Sequence, residues 1–136
     1  MNLFVRNIDK PADIPGALED LVNKVDLLWG IADPVVYNPQ TAKHILLFSL
    51  QNKIPLIGLS AAWVKAGALF ALNADNEEIA TQCAQAMAAM LQKERATVMP
   101  PLFPRNAVYS LNLKTAEQMK INVPEGIVRG AHEIFR

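Results

Sequence analysis

Asp33, Tyr37, Ser60, Trp63 and Asn73 are the residues of this sequence whose types and positions could do chemistry together. Each follows an apolar run, and none stands beside a histidine. Their chemistry is therefore recognition: a carboxylate, a hydroxyl, an amide and aromatic faces on one rim suit a small polar or aromatic organic ligand. Trp63 and Trp29 have a second reading as core filler, which fits Trp29 better than Trp63.

Catalytic inventories are thin. His44 lies mid-helix before Ile45, Leu46 and Leu47, and His132 lies beside Glu133; both read as surface or edge histidines. No two histidines fall at i, i+4, no CxxC occurs, and the acids are scattered in the manner of solvated charges, so no metal is expected. Gly58, Gly67, Gly126 and Gly130 are isolated, with no GxGxxG or Walker pattern after a strand, so no nucleotide cofactor is expected. A phosphoacceptor receiver domain would need an acidic pair after its first strand, and the segment Leu3 to Ile8 is followed only by Asp9. Cys83, the one cysteine, sits in TQCAQAMAAML and reads as a buried structural thiol.

The elements that must position the rim alternate between strand and helix patterns. Leu3 to Ile8 reads as a strand, and Asp13 with Pro15 opens a helix over about Gly16 to Asn23. Val25 to Asp33 (VDLLWGIAD) is an apolar run ending in an acid and then Pro34, which predicts a buried strand feeding a loop with Asp33 at its exit. Asn38 and Pro39 start a helix to about Asn52, and Ile54 to Leu59 is the next strand. Ser60 to Trp63 forms the following junction, Ala68 to Leu72 the fourth strand, and Asn73 its exit. Asp75 and Asn76 cap a long helix, Glu77 to Glu94, with Ile79, Cys83, Met87, Met90 and Leu91 as an apolar stripe. The three prolines of TVMPPLFPR forbid a helix there. Asn106 to Leu111 is the last predicted strand, Asn112 caps a helix to Lys120, and Pro124 starts an amphipathic helix carrying Ile127, Val128, Ala131, Ile134 and Phe135. Strands separated by helices predict an α/β, Rossmann-like (flavodoxin-like) parallel sheet of about five strands covered on both faces. The organisation expected is a single lobe over 1–136: a βα core over 1–76, a long helix and proline-rich linker over 77–104, and a last strand with C-terminal helices over 105–136.

The chain has 136 residues, 51% of them hydrophobic, which is one domain's worth with a real core. Thirteen basic and thirteen acidic residues cancel, and no run of Lys or Arg gathers, so nucleic acid is not an expected partner. Lys53 and Lys65 bracket the longest apolar candidate, Ile54 to Val64, which is short of the roughly 18 residues of a membrane span. The opening MNLFVRNID lacks the architecture of a signal peptide.

The blocks KVDLLWGIADPVV, KIPLIGLSAAWVKAGALFAL, EEIATQCAQAMAAMLQ and YSLNLKTAEQMKINVP, in this order, resemble the ABC transporter substrate-binding proteins, the type that includes tryptophan- and tyrosine-binding members. The resemblance runs from about Asp13 onward. It implies one lobe of a periplasmic-binding-protein fold whose full-length relatives are exported, two-lobed and about twice this long, with a ligand trapped between the lobes. The implied partners are a small-molecule solute, the missing N-terminal lobe and an ABC permease. It also implies that an aromatic amino acid or an analogue is among the candidate solutes. Asp33 matches the acid ending the family's strand, with Pro34 where Asn is usual; Ser60 matches the end of the next strand, with Ala61, Ala62 and Trp63 where acidic or polar residues are common. Lys65, Gly67 and Ala68 match the VKxGA turn, and Asn112 with Ala116 the NLKTA block; these imply structural roles. Without a first lobe the stripe on the long helix would face water, at roughly 1.5–3 kcal/mol per large side chain. It is therefore expected to fold back onto its own lobe or pair in a homodimer. A ligand-sensing module of a signalling protein is the alternative use of the same lobe.

Overall fold

The computed structural model describes residues 2–92 and 103–136. They fall into two compact units, Met1–Leu72 with Tyr109–Arg136, and Asn73–Val108.

In the first unit a 3-10 turn, Pro11–Asp13, leads into α1 (Ile14–Glu19). Pro15 stands in the first turn as expected, but the Asp13 side chain makes no cap; it lies 3.9 Å from Lys10 instead. After β1 (Leu28–Trp29) comes α2 (Pro39–Asn52), then β2 (Leu56–Gly58), α3 (Ala61–Ala66) and β3 (Phe70–Ala74). Helix α2 ends at Lys53, whose left-handed φ of 54° turns the chain so that the Ile54 amide donates to Ser49 O at 3.0 Å. The Ser49 hydroxyl, fully buried, donates to Ile54 O at 2.7 Å, which removes the cost of hiding it.

The sheet order is β1-β2-β3-β4-β5, where β4 is Ala107–Asn112 and β5 is Glu133–Phe135. The pairs β1–β2, β2–β3 and β4–β5 are parallel, with Leu28 opposite Leu56, Ile57 opposite Phe70 and Leu111 opposite Ile134. This is the α/β arrangement of parallel strand pairs with intervening helices that the alternation predicts. The core of the unit gathers Ile14, Leu21, Leu28, Ile45, Leu46, Ile54, Leu56 and Ala68, with Tyr37 and Trp63 packed against it.

The membership of the sheet differs from expectation at both ends. Leu3 to Ile8 forms no strand: Leu3, Phe4 and Val5 are exposed, and only Ile8 packs on the core. The C-terminal amphipathic segment is not one helix. Helix α6 (Glu125–Arg129) stops at Gly130, and Glu133–Phe135 pairs with Ser110–Asn112 instead, entered by the His132 amide donating to Tyr109 O at 2.9 Å. A five-residue helix ending at a glycine costs little to stop, and the β4 edge offers Ile134 and Phe135 a ladder in place of an exposed turn. Trp29 is also corrected: it is 66% exposed, because Leu28 is the β1 side chain that enters the core and alternation turns its neighbour the other way.

The second unit is built on α4 (Asn76–Gln92). Asp75 caps it as predicted, its Oδ1 accepting from the Glu77 and Glu78 amides at 3.0 and 3.3 Å. Glu78 in turn accepts from the backbone amides of Arg105 and Asn106 at 3.1 and 3.4 Å, and from the Gln82 side chain. Gln82 is the buried residue of that turn, so Cys83, 100° further round, is exposed and not the buried thiol expected. Met87, Met90 and Leu91 are exposed too, so the apolar stripe is not folded away. The predicted end of this helix at Glu94 and most of the linker from Thr97 lie outside the described residues.

Candidate functional site

The loop after β1 is built by its own side chains. Asp33 Oδ1 accepts from the amides of Val35 and Val36 at 2.8 and 3.0 Å, and the Tyr37 amide donates to Asp33 O at 2.8 Å. Asn38 then starts α2: its Oδ1 accepts from the Gln40 and Thr41 amides, and its own amide donates to Thr41 Oγ1 at 3.1 Å, a capping box. The Asn38 Nδ2 donates to Val35 O at 3.0 Å and the Thr41 hydroxyl to Val36 O at 2.6 Å. The turn that presents Asp33 and Tyr37 is thus tied down at both ends. Asp33 itself is exposed, and of its two carboxylate oxygens Oδ1 is the one that accepts hydrogen bonds from the described residues.

Ser60 is the N-cap of α3 by its backbone, its carbonyl accepting from the Trp63 and Val64 amides at 3.0 and 3.2 Å, while its side chain makes no capping bond. Trp63, half-buried, meets Tyr37 edge to face, ring centroids 5.2 Å apart at 80°. Burial pushes the Tyr37 hydroxyl above its ordinary pKa of 10.0, since phenolate is the form that loses solvation. The structure therefore brings Tyr37 and Trp63 together at the carboxyl ends of two neighbouring strands, with Asp33 in the same turn as Tyr37. Asn73 lies in the second unit, in β3, partly buried.

A residue read as structural anchors this rim. Asn112, buried at the end of β4, donates from Nδ2 to Val64 O at 2.7 Å, accepts at Oδ1 from the Thr115 amide at 2.8 Å, and donates its amide to Leu69 O at 2.9 Å. The Thr115 hydroxyl donates to Gly67 O at 3.1 Å. Together they hold the C-terminal end of α3, and so the helix that carries Trp63, to α5 (Leu113–Met119). Sequence spacing marks Asn112 as a helix cap but cannot show its reach to Val64.

His44 and His132 are exposed, and no cluster of three His, Cys, Asp or Glu side chains that could hold a metal occurs among the described residues. Two shallow clefts, one of about 300 Å³ over Ile14, Pro15, Gln40, Thr41 and His44 and one of about 420 Å³ over Asn23, Lys24, Asn52 and Lys53, contain none of the five rim residues. No helix among the described residues is long and apolar enough to cross a membrane.

The family model for the ABC transporter substrate binding protein matches residues 1–135. The chain belongs to that family. Solved structures similar to this substrate-binding chain include a conserved domain protein from Vibrio cholerae O1 biovar El Tor, 25% identical with a TM-score of 0.67, where 92% of this chain covers 42% of that one. Another is an ABC domain in complex with L-Trp from Streptococcus pneumonia, 17% identical with a TM-score of 0.70, covering 94% and 43%. A third is the ligand-free, open form of CD0873, a substrate binding protein with adhesive properties from Clostridium difficile, 18% identical with a TM-score of 0.77, covering 96% and 43%. This substrate-binding chain thus spans less than half the length of these structures. No curated protein matches it.

Proposed function

We propose that this chain is the C-terminal lobe of the solute-binding component of an ABC-type importer, and that it holds a small organic solute, an aromatic amino acid or an analogue, without covalent chemistry. The observation that carries the proposal is the edge-to-face Tyr37–Trp63 pair at the ends of adjacent strands, in the same turn system as Asp33. An aromatic wall beside a carboxylate suits a flat ring bearing a donor or cationic group. The Streptococcus relative crystallised with L-Trp supports an aromatic solute, and the family supports delivery to a membrane permease. Asp33, Tyr37, Ser60, Trp63 and Asn73 are the proposed contacts. The ligand would lie in a cleft closed by an N-terminal lobe, consistent with coverage of 42–43% of the relatives' length. Residues 1–136 act as one lobe, and the working protein is extracytoplasmic. In the same proposal the exposed Met87, Met90 and Leu91 pair two copies of the isolated chain; light scattering that gives 15.0 kDa at high concentration removes that part.

The test is calorimetry with L-tryptophan and L-tyrosine on the chain and on its Asp33→Asn and Trp63→Leu variants. Saturable binding by the chain, weakened in both variants, is the expected result. Equal heats in all three proteins contradict the assignment of the rim.

A further inference from the structure

We propose that Gly30 and Gly58 are positioning residues for the aromatic pair, an inference that rests on the proposed role of the rim as a binding wall. Gly58 is the last residue of β2, and Gly30 follows β1, its amide donating to Ile57 O at 3.1 Å. The two glycines therefore end neighbouring strands, and both are buried. Each lies against one of the two rings.

A Cβ on Gly58 would stand 2.7 Å from Trp63 Cβ and 3.0 Å from Ala68 Cβ. Neither atom is the far end of a flexible side chain; both are fixed to backbone, so the start of α3 would have to move and Trp63 with it. A Cβ on Gly30 would stand 3.1 Å from Tyr37 Oη, 3.2 Å from Tyr37 Cζ and 3.2 Å from Ile57 O. Here the carbonyl is held in the ladder and the ring tip is the part that yields. Neither glycine has a positive φ, so what they supply is space and not backbone freedom. Edge-to-face contact depends on the placement of both rings, and the two missing methyl groups set where the rings meet. Gly67 is the contrast: its φ of 129° strains any other residue, yet a Cβ there meets nothing nearer than 3.8 Å.

The test is near-ultraviolet circular dichroism of the ligand-free chain. Trp29→Phe serves as the background, leaving Trp63 as the one tryptophan of the two. In that background Gly58→Ala is expected to lose the Trp63 band, and Gly30→Ala to reduce it less. Gly67→Ala is expected to lower the melting temperature with the band kept. A Gly58→Ala protein that retains the band overturns the inference, as does a Gly67→Ala protein that loses it as completely. Should Gly58→Ala fail to fold, Gly30→Ala decides: an undiminished band at unchanged far-ultraviolet signal overturns the inference. Because no ligand is present, a band that responds as expected while the wild-type chain binds neither L-tryptophan nor L-tyrosine refutes the binding role alone.

Discussion

Asp33 divides its carboxylate between the chain and the solvent. One oxygen accepts two amides of its own turn, and Asn at this position keeps that acceptor while removing the charge. Asp33→Ala should therefore cost about 1 kcal/mol, the usual loss of a side-chain acceptor for turn or helix-start amides, whereas Asp33→Asn should cost little. Urea melts of both variants measure the difference, and equal losses would mean that the turn does not depend on Oδ1. Tyr37 supplies the pH signature. Its folded pKa is raised by burial, so the folded chain holds the proton longer than the unfolded chain does. Stability from this group is complete below the ordinary 10.0 and is lost as pH rises above it. The wild type should lose melting temperature above that pH more steeply than Tyr37→Phe; parallel curves would contradict the burial of the hydroxyl. At this scale Asp33 and Tyr37 were legible from VDLLWGIAD and the turn residues after it. The two glycine seats were not, because spacing along the chain carries no information about which ring a missing Cβ faces.

Among the elements, α3 shows how a short helix is held. It has six residues and no side-chain N-cap, so its place depends on Asn112 and Thr115 reaching its C-terminal carbonyls. Asn112→Ala takes one of two donors from the Val64 carbonyl, which keeps the Gly67 amide at 3.1 Å, at about 1 kcal/mol, and uncaps α5, at about 1 kcal/mol more. Denaturant unfolding should show that loss together with weakened Trp63 near-ultraviolet signal; a neutral variant would mean that α3 is held elsewhere. Helix α4 gives a chemical readout: with Gln82 inward and Cys83 exposed, the native thiol should react with a disulfide reagent at close to its rate in denaturant. Strong protection would contradict the orientation of the helix. The strands at Leu28, Leu56 and Phe70, and the caps at Asn38, Asp75 and Asn112, follow from local chemistry that a sequence displays. Cys83, Trp29, Leu3 to Ile8 and β5 do not, since which face turns inward and which edge finds a partner are decided by packing between distant segments.

At the scale of the whole molecule, the zero net charge and the run of strands and helices bound the class, and the family match over residues 1–135 makes it definite. The most direct measurement is a backbone amide chemical-shift titration of the ¹⁵N-labelled chain with L-tryptophan and L-tyrosine, carried to millimolar concentration. The proposed function predicts saturable shifts concentrated at residues 30–38 and 58–64 and at Asn73. Shifts confined to the clefts at Ile14 and His44 or at Asn23 and Lys53, or no saturable shift with either amino acid, would contradict it.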